Sequence, residues 1–202
     1  MKKSNVKNAT SDPLQKLIDS SKSTDEIYAT DDITVGEKGD VKPGIYDIEV
    51  TGGSGNILGT RKSEDGLYIN FVAGALGNIG NYASKIRLLL FDGDTLQLQN
   101  ISKVKFNAVP KEVESSNELG QGEFIVGRDI KEGTYKLSTN ANLDWGITIE
   151  DLNSNTSKSQ EYNPGNTDVV KLKKNQVLSI NYNGVNESTK ADDAKLIFTE
   201  YK

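Results

Sequence analysis

Apolar and polar residues alternate along much of this chain, in short runs separated by turns rich in glycine, asparagine and aspartate. The run at 44–50 places Tyr46, Ile48 and Val50 on one face, and the run at 67–72 repeats the alternation. A period of two residues is typical of strands that bury one face. The pattern therefore predicts an all-β protein made of short strands.

One stretch near the N-terminus has the spacing of a helix instead. Leu14, Leu17 and Ile18 lie at positions i, i+3 and i+4, which form one side of a helical turn. Asp12-Pro13 combines a helix N-cap with proline at the first helical position. We therefore predict one short helix at about residues 13–21.

The chain contains one stretch twice. Residues 125–137 read Ile-Val-Gly-Arg-Asp-Ile-Lys-Glu-Gly-Thr-Tyr-Lys-Leu, and residues 33–48 are a looser copy with an insertion near residues 38–39. Further downstream, Leu172, Leu178 and Ile180 match Leu90, Leu96 and Leu98. Two copies indicate an ancestral duplication, because a solenoid usually needs at least three repeats.

The repeat divides the chain into four predicted parts. Residues 1–31 are a flexible segment that contains the helix, residues 32–110 the first β-module, residues 111–122 a polar linker, and residues 123–202 the second β-module. The short strands and frequent turns of each module indicate a β-sandwich or a small barrel. The predicted fold is thus two tandem, related β-sandwich or small-barrel modules preceded by one short N-terminal helix.

Glycine and clustered polar residues mark the predicted turns, which are residues 51–55, a loop at 74–80, the Asp92-Gly93 turn of a hairpin between 86–91 and 96–99, and a polar loop at 151–167. Asp-Gly supplies the positive φ that a tight hairpin requires. Asp92 and Asp94 could also bind calcium, but they lack the alternating ligands of a calcium loop. The loop at 74–80 lacks the glycine spacing and the following helix of a nucleotide site.

The repeated stretch can be explained as a structural turn motif. In the second copy, Gly127 ends an entering strand and Asp129 hydrogen-bonds within its own turn. Gly133 then allows the bend into the next strand, where Tyr135 buries its ring and leaves its hydroxyl at the rim. The corresponding residues of the first copy are Gly36, Gly44 and Tyr46. The alternative is that this turn forms part of a binding edge.

Composition excludes several classes of site. The 202 residues include no cysteine and no histidine, which excludes zinc sites with cysteine ligands, haem on Cys or His, iron–sulfur clusters, Ser-His-Asp triads and Cys-His dyads within one chain. A net charge of −5 gives no basic surface for nucleic acid. We predict no catalytic residue, no metal and no cofactor. A hydrolase that uses two carboxylates is a weaker hypothesis, because the sequence identifies no such pair.

Two places are candidates for a binding surface. Trp145 is the only tryptophan, and its main interpretation is a core residue. The alternative is an exposed aromatic platform, with Tyr162 or Tyr182 beside it, for a sugar or a protein partner. Gly77, at the centre of the loop at 74–80, is the other candidate.

The motif Val-Gly-x-Asp-Ile-x-x-Gly-x-Tyr-x-Leu, followed by Leu-x-x-Gly/Asn-x-x-Leu-x-Ile, resembles small β-rich modules of Gram-positive lipoproteins, surface proteins and prophage-encoded proteins. The resemblance covers most of residues 32–201. It implies a non-enzymatic role at the cell envelope or in a phage, and it transfers no catalytic residue. The first copy departs from the motif through its insertion and through Asp40-Val41, from which we expect a shifted turn in an intact fold.

Two hypotheses about function follow. The first is a non-catalytic binding protein of the Gram-positive cell envelope, with a protein or a cell-wall glycan as partner. The alternative is an intracellular or virion protein of prophage origin that binds or inhibits a specific protein. No apolar run is long enough to span a bilayer, and no signal-peptide core follows Met1. The first hypothesis therefore requires that a signal segment was removed, whereas a native start at Met1 favours the second.

Overall fold

The structure is a computed structural model that describes residues 13–62, 67–183 and 189–202. The prediction of an all-β fold is confirmed, because 53% of the structure is strand and 6% is helical. One short helix, α1 (Pro13–Ser20), precedes the strands as predicted. The residues before it, predicted to be flexible, lie outside the described part of the chain.

The described residues of the first half of the chain contain six strands: β1 (Glu26–Tyr28), β2 (Ile33–Thr34), β3 (Gly44–Thr60), β4 (Ile69–Gly74), β5 (Lys85–Leu90) and β6 (Thr95–Ala108). Eight follow: β7 (Glu118–Leu119), β8 (Gly122–Ile125), β9 (Gly133–Thr139), β10 (Asp144–Asp151), β11 (Thr156–Tyr162), β12 (Val169–Leu172), β13 (Val177–Asn183) and β14 (Leu196–Glu200). A 3₁₀ turn, Ala191–Asp193, lies between β13 and β14.

The first module has two layers, and its two long strands run through both. The first half of β3 lies between β5 and the second half of β6, with β1 at the edge. The second half of β3 lies between β4 and the first half of β6, with β2 at the edge. Register shifts between Val50 and Asn56 mark the bend from one layer into the other. The turn predicted at 51–55 is therefore wrong, because its glycines form bulges inside one continuous strand.

The hairpin predicted around Asp92-Gly93 is also wrong. Gly93 has the expected positive φ of 88°. However, β5 and β6 do not pair with each other, since they lie on opposite sides of β3. The turn instead carries the chain from one layer of the sandwich to the other. A turn sequence specifies a local reversal, whereas the strand partner is set by the packing of the two layers.

The second module repeats this arrangement strand for strand. One layer has the order β8-β13-β10-β11, and the other has the order β12-β9-β14-β7. Tyr135 in β9 lies between β12 and β14, as Tyr46 in β3 lies between β5 and β6. The long strands of the first module are each divided here, so that β9 and β10 correspond to β3, and β13 and β14 to β6. The pairing pattern is thus duplicated together with the sequence motif.

Three segments predicted to be linker or loop contain strands. β1 lies in the segment 1–31, β7 in the linker 111–122, and β11 in the polar loop 151–167. They pair with β6, β14 and β10 respectively. All three are edge strands; most side chains of β1 and β11 are exposed, and β7 is only two residues long, of which Leu119 is buried. Such strands are held at the edge of a sheet by main-chain hydrogen bonds, which do not require apolar and polar residues to alternate. The sequence pattern therefore does not reveal them.

The two modules meet through a shared apolar cluster, separate from the core of each. We call it the junction cluster, and its buried members are Leu14, Leu17, Ile45, Leu67, Leu89, Phe91, Val109, Ile125 and Val177. Helix α1 supplies the first two of these residues, and β8 and β13 of the second module supply the last two. Beside it, β5 pairs with β8 in parallel at Arg87 and Gly122. The helix thus packs over the line where the modules join.

Candidate binding site

The turn of the repeated motif closes in the same way in both modules. The N–H of Gly36 donates to the carbonyl of Val41 at 2.9 Å, and the N–H of Gly127 donates to that of Ile130 at 2.7 Å. The insertion in the first copy lengthens the loop between these residues and leaves the closing bond in place. The turn is therefore closed by an equivalent main-chain bond in both copies.

An aspartate fixes each turn from inside. The side chain of Asp40 accepts the N–H of Thr34 at 2.8 Å, and that of Asp129 accepts the N–H of Ile125 at 2.7 Å. The bonds that Asp40 receives from the N–H and the hydroxyl of Thr34 hold the pKa of its carboxyl below the ordinary value. The aspartate of the motif is therefore used to shape its own turn.

Asp129 has a second role that Asp40 lacks. Its carboxylate accepts a bond from Arg87 of the first module at 3.0 Å and one from Arg128 at 2.6 Å. Arg87 also binds the carboxylate of Asp47 with two bonds, at 2.8 and 3.0 Å. This charged group joins the turn of the second module to the sheet of the first.

A second charged group at the junction is almost fully buried. Arg61 donates to Asp94 at 3.0 Å and to Glu123 at 2.5 Å, and the side chain of the arginine is 3% exposed. Glu123 also accepts the N–H of Leu89 at 2.9 Å. Burial raises the pKa of both carboxyls, against the lowering effect of Arg61. Sequence reasoning missed this group, because its members are far apart in the chain and follow no motif.

A cleft of about 560 Å³ lies between the modules beside these groups. Asp47, Arg87 and Asp129, which line it, bind one another as described above. Asp192 of the second module accepts bonds from the N–H and the hydroxyl of Ser84 in the first, at 2.7 and 2.8 Å. These charged side chains hold the two modules together, so the cleft is part of the junction.

The aromatic platform predicted as an alternative at Trp145 is not present. Trp145 is 1% exposed and Tyr162 is 2% exposed, so both rings lie in the core of the second module. The indole N–H donates to the hydroxyl of Thr139 at 3.0 Å. Tyr182 meets the indole edge-on at 5.3 Å and packs against the cores of both modules. The main interpretation of Trp145, a core tryptophan, agrees with this burial.

The loop around Gly77 is the clearest exposed apolar feature of the described residues. Leu76 and Ile79 project from it with 87% and 105% of their surface exposed. Gly77, between them, has a φ of 80°, and no atom would lie within 4 Å of a Cβ there. We call residues 74–82 the apolar loop. Large aliphatic side chains exposed together on an ordered segment are typical of contact sites.

The apolar loop is held in one conformation by its own polar groups. The side-chain amide of Asn78 donates to the carbonyls of Ala75 at 3.0 Å and Tyr82 at 2.9 Å, and its oxygen accepts the N–H of Tyr82 at 2.9 Å. Asn81 donates to the carbonyl of Thr189 in the second module at 2.9 Å. The exposed side chains of Leu76 and Ile79 therefore belong to a loop that hydrogen bonds hold in one conformation.

Where the second module makes the equivalent connection, within its described residues, it has no counterpart of the apolar loop. The equivalent connection runs from β11 to β12 through residues 163–168, Asn-Pro-Gly-Asn-Thr-Asp, which are polar and fewer than residues 75–84 between β4 and β5. The duplicated fold therefore does not require the extra residues of the first module. Sequence reasoning named Gly77 as a candidate but could not tell whether its neighbours are buried.

Comparison of the chain with protein-family models, with curated proteins and with solved structures gave no match. The resemblance to modules of Gram-positive bacteria therefore stays a prediction. Among the described residues, no three or more carboxylates are grouped closely enough to hold a metal ion. Within the same ranges, no helix has the length and apolar character to cross a membrane.

Proposed function

We propose that this protein is a non-catalytic binding protein of the Gram-positive cell envelope, and that it binds its partner through the apolar loop. The observation that carries the proposal is the exposure of Leu76 and Ile79 on a loop that the duplicated fold does not need. Binding residues are commonly found on loops that a rigid scaffold positions. The two β-modules are that scaffold.

The charged side chains at the junction support a role without catalysis. Arg61 binds Asp94 and Glu123, and Arg87 binds Asp47 and Asp129. Each of these six carboxylate and guanidinium groups is thus engaged in holding one module to the other or in shaping a turn. Five residues of the repeated motif make hydrogen bonds within their own module, and these are Gly36, Tyr46, Gly127, Asp129 and Tyr135.

The location at the envelope is supported by the resemblance of the repeated motif to modules of Gram-positive surface proteins and lipoproteins. The same resemblance includes prophage-encoded proteins, so an intracellular or virion protein is the alternative. In both cases the molecule acts by binding. The two differ in where its partner is found.

Retention of partners from separate cell fractions tests the proposal. The full chain, immobilised, is incubated with solubilised envelope proteins, with purified cell wall and with cytoplasmic proteins of a Gram-positive host. Saturable binding of an envelope component is the expected result. Saturable binding of a cytoplasmic protein alone would favour the prophage alternative, and retention of no component from any fraction would overturn the proposal.

A further inference from the structure

We infer that Leu76 and Ile79 are anchors that insert into a concave apolar pocket on a protein partner. This inference rests on the proposed function and names the class of partner and the residues that bind it. The two side chains are three positions apart on one ordered loop, and both project into solvent. A pair of aliphatic anchors of this kind needs a pocket that surrounds each side chain, because a flat surface would leave much of each one in water.

The loop is already in a conformation that can bind. The bonds from Asn78 cross the loop, and the N–H groups of Gly74 and Ala75 tie its base to Ala83 at 3.0 Å and to Gly53 at 2.9 Å. Ordering a loop on binding reduces affinity, so a loop that is ordered beforehand loses less. Asn78 is therefore a positioning residue for the two anchors.

The small area of the two anchors argues against a second copy of this chain as the occupant. A stable interface buries roughly 800 Å² on each partner. A contact between two copies through Leu76 and Ile79 alone would involve only two large apolar side chains on each partner. A partner with a pocket can enclose both side chains and also contact the uncharged main chain around Gly77.

The charge of the loop argues against a lipid surface. Residues 74–82 are Gly-Ala-Leu-Gly-Asn-Ile-Gly-Asn-Tyr, which include no lysine or arginine. Stable attachment of a short apolar segment to a membrane usually needs a second signal, such as a basic patch. The net charge of −5 for the whole chain would oppose contact with anionic lipids. An apolar pocket of a protein fits this loop better.

The first step of the test is a photo-cross-linking amino acid at position 79 of the full chain. Cross-linking to one envelope protein identifies the partner, which is then purified for affinity measurements. The double variant Leu76→Ser/Ile79→Ser is expected to lower the affinity for it by about 30-fold or more. The matched control is Tyr68→Ser, because Tyr68 is 80% exposed and lies just before β4, at the end of that strand away from the loop. The affinity of this control variant for the partner is expected to stay within about twofold of the affinity of the original chain.

The variant Asn78→Ala tests whether Asn78 positions the two anchors, separately from the contact that the anchors make with the partner. This variant keeps both anchors, so we expect a smaller loss of affinity than for the double variant. It should also speed hydrogen exchange of the loop amides, and circular dichroism should show the fold unchanged. Unchanged exchange together with unchanged affinity would contradict the positioning role.

Three results would overturn the inference while leaving intact the part of the proposed function that makes this chain a binding protein of the cell envelope. The first is equal affinity of the original chain and the double variant for the purified partner. The second is flotation of the chain with phosphatidylglycerol vesicles that depends on Leu76 and Ile79. The third is a concentration-dependent dimer in sedimentation that the double variant abolishes. By contrast, failure of the chain to bind any cell fraction would overturn the proposed function itself.

Discussion

Tyr46 and Tyr135 occupy the same position in the two modules and make the same two contacts. Each ring meets a phenylalanine edge-on, with centroids 5.7 Å apart for Phe106 and 6.0 Å apart for Phe198. Each hydroxyl donates to the carbonyl four residues earlier, at 2.8 and 2.9 Å. Within the described ranges, the hydroxyl of Tyr46 also accepts a bond, from the N–H of Lys22 at 3.1 Å, and that of Tyr135 has no such second bond. The segment before the first module therefore adds a contact to an otherwise duplicated site.

This difference predicts unequal effects of removing the two hydroxyls. Tyr135→Phe removes one hydrogen bond and should lower the free energy of unfolding by about 0.5–1.5 kcal/mol. Tyr46→Phe removes two and should lower it by more. Urea denaturation followed by circular dichroism measures both values. The control is Tyr68→Phe, which should leave the stability unchanged because Tyr68 is exposed. A larger loss for Tyr135→Phe would contradict the role given to Lys22.

The two glycines that match in the motif should also respond differently to substitution. Gly127 has a φ of 92°, and a Cβ there would lie 2.9 Å from Cγ of Lys174. Gly36 is not in the left-handed region, and its nearest neighbour would be the end of the Asp92 side chain at 3.1 Å. We expect Gly127→Ala to lower the free energy of unfolding by about 1–3 kcal/mol. Gly36→Ala should lower the free energy of unfolding by less than Gly127→Ala does. Urea denaturation of both variants tests this order.

The local pattern was sufficient to predict the strand faces and the duplication. Tyr46, Ile48 and Val50 are all buried, as their alternation predicts. Alternation reports which face of a strand is buried, because side chains point to opposite faces in turn. It does not report the partner of a strand. The pairing of β5 and β6 with opposite sides of β3 was missed for this reason.

The candidate site depends on information that the pattern does not contain. Leu76 and Ile79 are apolar, and nothing in their spacing distinguishes exposed anchors from core residues. Their exposure depends on the conformation of the whole loop, which the hydrogen bonds of Asn78 to Ala75 and Tyr82 help to fix. Similarly, Arg61 and Glu123 come together only when the two modules pack. Such contacts between distant parts of the chain require the fold to be known.

The buried group of Arg61, Asp94 and Glu123 predicts a specific dependence of stability on pH. Two carboxylates face one guanidinium, and burial raises the pKa of both above their ordinary values of 3.8 and 4.5. The folded protein therefore binds more protons than the unfolded chain just above these values. Where the folded state binds more protons than the unfolded state, the free energy of unfolding falls as pH rises. This group therefore stabilises the fold most at low pH, and its contribution decreases as pH rises through the raised pKa values.

Glu123→Gln isolates this effect, because glutamine is neutral at every pH. We expect the variant to gain stability relative to the original chain as pH rises from about 4.5 to 8. Urea denaturation at several pH values measures the difference between the two proteins. Taking the difference removes the contributions of other carboxylates, such as Asp40, whose pKa is lowered. A difference that stays constant or changes in the opposite direction would contradict the prediction.

The junction cluster predicts that the two modules unfold together. Leu17 of α1, Leu89 of the first module and Val177 of the second are all buried in it, so neither module can unfold without exposing apolar surface of the other. Calorimetry should therefore give one transition, with equal calorimetric and van't Hoff enthalpies. Leu17→Ala should lower the free energy of unfolding by about 2–5 kcal/mol. Lys16→Ala, at an exposed position of the same helix, is the control and should have little effect. Two separate transitions in the original chain would show that the modules are independent, and would limit the role of α1 to one of them.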